Sequence, residues 1–87
     1  VRFEAEVRRI LEDRIAHLEG MELKEYEDQI DTGLPGLKIR ETILPEEIVD
    51  SERTILSGFW KVEITASWER DGVPQEIQTS FLRFADR

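Results

Sequence analysis

The sequence offers one histidine, twenty carboxylates and two tryptophans as candidates for chemistry, and no cysteine. A hydrolase or transferase needs a nucleophile beside a base, or an acid beside a base. His17 stands between Ala16 and Leu18 in a helical stretch, where a lone histidine is far more often a surface or boundary residue than a catalyst. No Gly-rich phosphate loop follows a strand; Gly33 and Gly36 flank Leu34-Pro35, which suits a turn and not an anion cradle. The missing cysteines exclude disulfides, zinc-thiolate sites and thiol nucleophiles. Asp28 with Asp31, or Asp50 with Glu52, offers oxygens to a hard cation such as calcium, but the spacing is not that of an EF-hand loop. We read them as solvated acidic surface. A metal-dependent enzyme would need ligands that are all carboxylates, with no histidine at a recognisable spacing. We therefore assign no catalytic residue, no metal and no cofactor, and expect no enzymatic activity. Trp60 and Trp68, eight apart on one strand face, would serve either as a ligand platform or as core, and we read them as core.

The elements that hold these residues begin with a helix. Phe3, Val7, Ile10, Leu11, Ile15 and Leu18 recur every three or four residues and fall within a stripe roughly 140° wide at about 100° per residue. Arg14 lies inside that stripe, with its stem expected along the core and its head in water. Glu4 with Arg8, and Arg9 with Asp13, are spaced for ion pairs along the helix. Gly20 is expected to end the helix in the left-handed conformation that follows a C-cap. The opposite helix face carries Arg2, Ala5, Arg9, Glu12, Asp13 and Ala16. Small residues toward both ends would let a neighbouring helix approach, and mixed charges would fix its register; for an isolated domain the same face is an ordinary solvated surface.

Residues 21–36 are acidic and end in the turn-rich Thr32-Gly33-Leu34-Pro35-Gly36, which predicts a loop. Residues 37–44 alternate, with Leu37, Ile39 and Ile43 on one side and Lys38, Arg40 and Thr42 on the other. They predict a strand ended by Pro45. Residues 45–58 read as a variable linker, within which 46–57 suit either a short helical turn or a β-arm, closed by a break at Ser57-Gly58.

The strongest local pattern follows. Trp60, Val62, Ile64, Ala66 and Trp68 alternate with Lys61, Glu63, Thr65 and Ser67, a period of two rich in β-branched and aromatic residues. Asp71-Gly72 supplies the two positive-φ positions of a type I′ turn. With Arg70 opposite Val73, Trp68 meets Gln75, Ala66 meets Ile77, Ile64 meets Thr79 and Val62 meets Phe81. This register gathers the apolar residues on one face, and a one-residue slip would scatter them. The fold expected is α+β: one domain spanning 1–87, with an N-terminal amphipathic helix (1–20) packed on a small antiparallel sheet that ends in a hairpin (59–84). Its expected core is Val7, Ile10, Leu11, Leu18, Trp60, Val62, Ile64, Trp68, Ile77 and Phe81.

The chain has 87 residues and a net charge of −8. That length makes one small domain with a modest core. The acidic balance argues against nucleic acid and anionic lipid as partners. No apolar run approaches the ~20 residues that span a bilayer.

The strand Gly58-Phe59-Trp60-Lys61-Val62-Glu63-Ile64-Thr65-Ala66-Ser67-Trp68, its Gly turn and the run Ile77-Gln78-Thr79-Ser80-Phe81-Leu82-Arg83 resemble the closing hairpin of minor pseudopilins of type II secretion. The I-type subunit and related minor pilins are the nearest in pattern. In that family an aromatic-Arg/Lys-Val-x-Val-x-x-x-Trp strand precedes a turn and a Thr-rich last strand. The helix segment 5–19 resembles the family's lower helix, and together the resemblance covers about half the chain. The family's processed N-terminus, with its glutamate and apolar helix, is not in this sequence; Glu6 is not that glutamate, because charged residues surround it. The resemblance implies an apolar membrane segment ahead of Val1.

It further implies a non-enzymatic subunit anchored in the bacterial inner membrane, with a periplasmic domain. Such a subunit joins other pilin-like subunits through its helix, at Arg2, Ala5, Arg9, Glu12, Asp13 and Ala16, in a pseudopilus used in protein secretion. The alternative expectation is a free-standing cytoplasmic α+β module that holds a peptide or small ligand on its Trp-bearing sheet.

Overall fold

The computed structural model describes residues 2–85; Val1, Asp86 and Arg87, which the expected helix and domain bounds included, lie outside the described residues. One helix, α1 (Arg2–Glu19), is followed by four strands: β1 (Tyr26–Ile30), β2 (Lys38–Val49), β3 (Ile55–Arg70) and β4 (Val73–Phe84). The strands form one antiparallel sheet in the order β1-β2-β3-β4. Helix α1 packs on one face of it, mainly over β3. The architecture is α+β.

The β3–β4 hairpin has the register expected from alternation, Arg70 opposite Val73 through Val62 opposite Phe81. Asp71 and Gly72 have φ of 53° and 79°, as a type I′ turn requires. Complete rows of side chains then cross the sheet beneath the helix. Ile30, Ile39, Ala66 and Ile77 make one row, and Tyr26, Ile43, Val62 and Phe81 another. Val7, Leu11 and Leu18 of the helix close over them and are buried with Leu37, Ile39, Ile43, Val62, Ile64, Ala66 and Trp68. Each large side chain so buried contributes about 1.5–3 kcal/mol. Phe3, Ile10, Ile15, Trp60, Ile77 and Phe81 are partly buried against this core.

Several expectations are corrected. The acidic segment 21–36 is not all loop, because Tyr26–Ile30 forms β1 along the edge of β2. Its helix-facing positions are Tyr26, Asp28 and Ile30, so a central aspartate hides the apolar alternation. Pro45 does not end β2. It pairs opposite Trp60, beyond the last β1 partner at Ile43, where one side of β2 is already free and a residue without an N–H is tolerated. Of the two readings for 46–57 the β-arm is the one that forms: the segment labelled a linker is a two-stranded arm, turning through Asp50–Thr54. Asp50 builds that turn by accepting from the Glu52 and Thr54 N–H groups at 2.9 and 2.8 Å. Gly58 does not break the chain: β3 runs through it at φ 94°, and a register shift there adds one residue to β3, a bulge. Nor does Gly20 adopt the left-handed conformation. The helix tightens instead, the Gly20 and Met21 amides donating to the His17 and Leu18 carbonyls at 3.2 and 3.3 Å.

Candidate functional site

Two features of the helix bear on function: the face it exposes and the way its other face is fixed. Arg2, Ala5, Arg9, Glu12, Asp13 and Ala16 are all exposed, since each lies across the helix from the Val7–Leu11–Leu18 stripe. Arg9 donates to Glu6 at 2.8 Å and to Asp13 at 3.3 Å, so this face carries its own ion pairs. The other expected pair does not form, as Glu4 instead accepts from Arg70 at 3.5 Å and ties the helix start to the end of β3.

The second feature corrects the expectation for Arg14. The side chain stays 23% exposed, but its head is bonded to the sheet. Nε donates to Glu41 Oε2 at 2.5 Å and Nη2 to Oε1 at 2.8 Å, a two-pronged bond between helix and sheet. Glu41 has 0% exposure. The Tyr26 hydroxyl donates to its Oε1 at 3.3 Å, so both carboxylate oxygens are satisfied. The hydrogen bond to Glu41 raises the Arg14 pKa further above its ordinary value. Burial first, then the Glu41 charge, raises the Tyr26 phenol above its ordinary 10.0. Asp28 lies opposite Glu41 in register and is exposed. This cluster holds a carboxylate in a fixed place, with three protein donors on its two oxygens. Its bonds run from the helix to β1 and β2, and it reads as a pin between helix and sheet.

The signal for this pin was present in the sequence. Glu41 is in phase with Leu37, Ile39 and Ile43, and Arg14 is in phase with the apolar helix stripe. Opposite charges on the two faces that must meet call for each other. A second missed residue, Arg83, is in phase with Ile77 and Phe81; it donates to the Leu18 and Met21 carbonyls at 2.9 and 2.7 Å, satisfying groups the helix end leaves open.

The remaining sequence candidates stay apart. His17 is exposed on the helix. Among the described residues no three His, Asp or Glu side chains gather as metal ligands. Trp68 is 8% exposed, its ring 5.9 Å from that of Phe3, and Trp60 is half-buried against the core. A groove of about 760 Å³ near the β3–β4 turn is lined from both sides of the sheet, by Phe3, Trp68 and Gln75 on the helix side and Lys38, Ser67 and Glu76 on the other. It is therefore no single concave site. Among the described residues no helix is long and apolar enough to cross a membrane. Comparison of the chain with protein-family models, curated proteins and solved structures finds no match.

Proposed function

We propose that this chain is a non-enzymatic assembly subunit of the pilin-like kind, a minor pseudopilin or minor pilin. On this reading the helix packs against helices of other pilin-like subunits in a short periplasmic filament anchored at the bacterial inner membrane, and the filament pushes secreted protein outward. The observation that carries the reading is the uncovered helix face. Arg2, Ala5, Arg9, Glu12, Asp13 and Ala16 stay exposed along a helix whose other side is held by an apolar core and the Arg14–Glu41 pin. A helix held this way can transmit load from its neighbours to the sheet without rolling. The order of one N-terminal helix and then an antiparallel meander accords with the resemblance of the closing hairpin.

The test is association with soluble domains of pilin-like subunits encoded beside this one. Reversing charge with Arg9→Glu and Glu12→Arg is expected to weaken association while leaving the thermal midpoint within a few degrees. Unchanged association would count against the reading. The coding sequence upstream of Val1 gives a second check, since the reading expects a basic leader and an apolar stretch of about 20 residues there.

A further inference from the structure

The face of the sheet turned away from α1 carries an apolar patch that neither the core nor the helix surface explains. Leu44, Lys61 and Leu82 are cross-strand neighbours in one row, and Glu46, Phe59 and Phe84 form the next. The extra residue at Gly58 brings Leu56 opposite Ile48, two positions on from Glu46, so alternation places both on this same face. The Phe59 and Phe84 rings lie 5.0 Å apart. Leu44, Leu82 and Phe84 are 47%, 50% and 57% exposed. Among the described residues every exposed large hydrophobic residue except Val73 lies at this end of the molecule. Clusters of this kind mark interaction surfaces, whereas single exposed apolar residues do not.

Charge decides what covers it. Residues 46–53 carry Glu46, Glu47, Asp50 and Glu52 against Arg53 alone. The cation within the patch, Lys61, lies 3.6 Å from Glu63. A second copy, with a net charge of −8, would set like charge against like, and so would an anionic membrane. A partner with cations beside an apolar stripe meets both the patch and its rim. The sheet's opposite face is already covered by an amphipathic helix of this chain, which shows the kind of element that fits the pleat. We propose that the Leu44–Leu82–Phe84 patch docks an amphipathic helix of a partner protein whose apolar stripe is bordered by Lys or Arg. This inference does not rest on the pilin-like reading.

The test titrates the whole isotope-labelled chain with two synthetic amphipathic helical peptides, one of Leu and Lys and one of Leu and Glu, and follows its amide resonances. The Leu/Lys peptide is expected to shift the amides of Leu44, Leu56, Phe59, Leu82 and Phe84, and the Leu/Glu peptide to leave them in place. The exposed pair Leu44→Ser with Leu82→Ser is expected to weaken binding about tenfold or more, near 1.4 kcal/mol, with the circular dichroism spectrum kept. Three results would each overturn the proposal: shifts confined to α1, equal response to the two peptides, or concentration-dependent self-association through the same residues.

Discussion

Two faces of one strand, β3, behave as different materials. Val62, Ile64 and Ala66 have 0% exposure, while Lys61, Glu63, Thr65 and Ser67, each one residue away, remain partly open to solvent. The backbone is the same and the alternation is regular, so the difference comes from what covers each face. Beneath the helix even a glutamate is accepted, but only with Arg14 and Tyr26 fixed on its oxygens. On the open face Glu27 and Arg40 form a comparable pair whose side chains are 56% and 66% exposed. Pairing on the covered face is thus a condition of folding, and pairing on the open face is close to optional.

The largest effect that separates the faces is expected from Arg14→Ala, which strands a fully buried carboxylate and should cost about 3–5 kcal/mol. Arg40→Ala on the open face should cost about 1 kcal/mol or less. Urea unfolding of the two variants measures the contrast. Equal losses would break it. Replacing the pair together, Arg14→Met with Glu41→Leu, should recover most of the stability, because apolar groups of similar volume often match a buried ion pair.

Next comes packing. Ile64→Ala is expected to lose about 2–5 kcal/mol, and Thr65→Ala, its immediate neighbour, to stay within about 0.5 kcal/mol. A smaller and local effect is expected at the bulge. Gly58→Ala places a Cβ 3.0 Å from the Phe84 ring at a φ of 94°, a strained conformation costing roughly 1–3 kcal/mol. Gly33→Ala, at φ 80° with open space around it, should cost less, since only the backbone objects.

The smallest effect is in pH. Tyr26 is the chain's one tyrosine, and its folded pKa is raised above 10.0. Its contribution is therefore fully present below about pH 10 and lost as pH rises through the folded value. Ultraviolet absorbance should show the phenol titrating later in the folded chain than in urea. Tyr26→Phe should flatten the alkaline loss of stability, although the variant begins about 1 kcal/mol lower for want of the bond to Glu41.

Much of the covered face was legible in the sequence because two periods agreed on it. The helix stripe and the β3–β4 alternation each pointed to an apolar surface, and Asp71-Gly72 fixed how the strands meet. Strand β1 was illegible because it is short, lies at an edge, and turns Asp28 toward the helix side between Tyr26 and Ile30. The β2–β3 arm was obscured by Pro45 and Gly58, which end strands in most settings. Here one sits where β2 has lost its β1 neighbour and the other makes a bulge. The pin was hidden for a different reason. Arg14 and Glu41 each look like a flaw in an apolar pattern, and only their meeting across helix and sheet makes sense of both. On the helix's outer face, composition alone distinguishes a contact surface from a solvated one poorly, since Arg9, Glu12 and Asp13 suit either.

The exposed helix face is where the account is most open to direct test. The chain has no native cysteine, so single cysteines at Ala5, Ala16 and, on the open sheet face, Gln78 can be introduced one at a time. Oxidative disulfide cross-linking to neighbouring pilin-like subunits, each given one cysteine on its own exposed helix face, reads which face meets them. The account predicts cross-links from positions 5 and 16 to those subunits and none from position 78. Cross-links from position 78 alone, or from none of the three while the chain is folded and expressed, would contradict it.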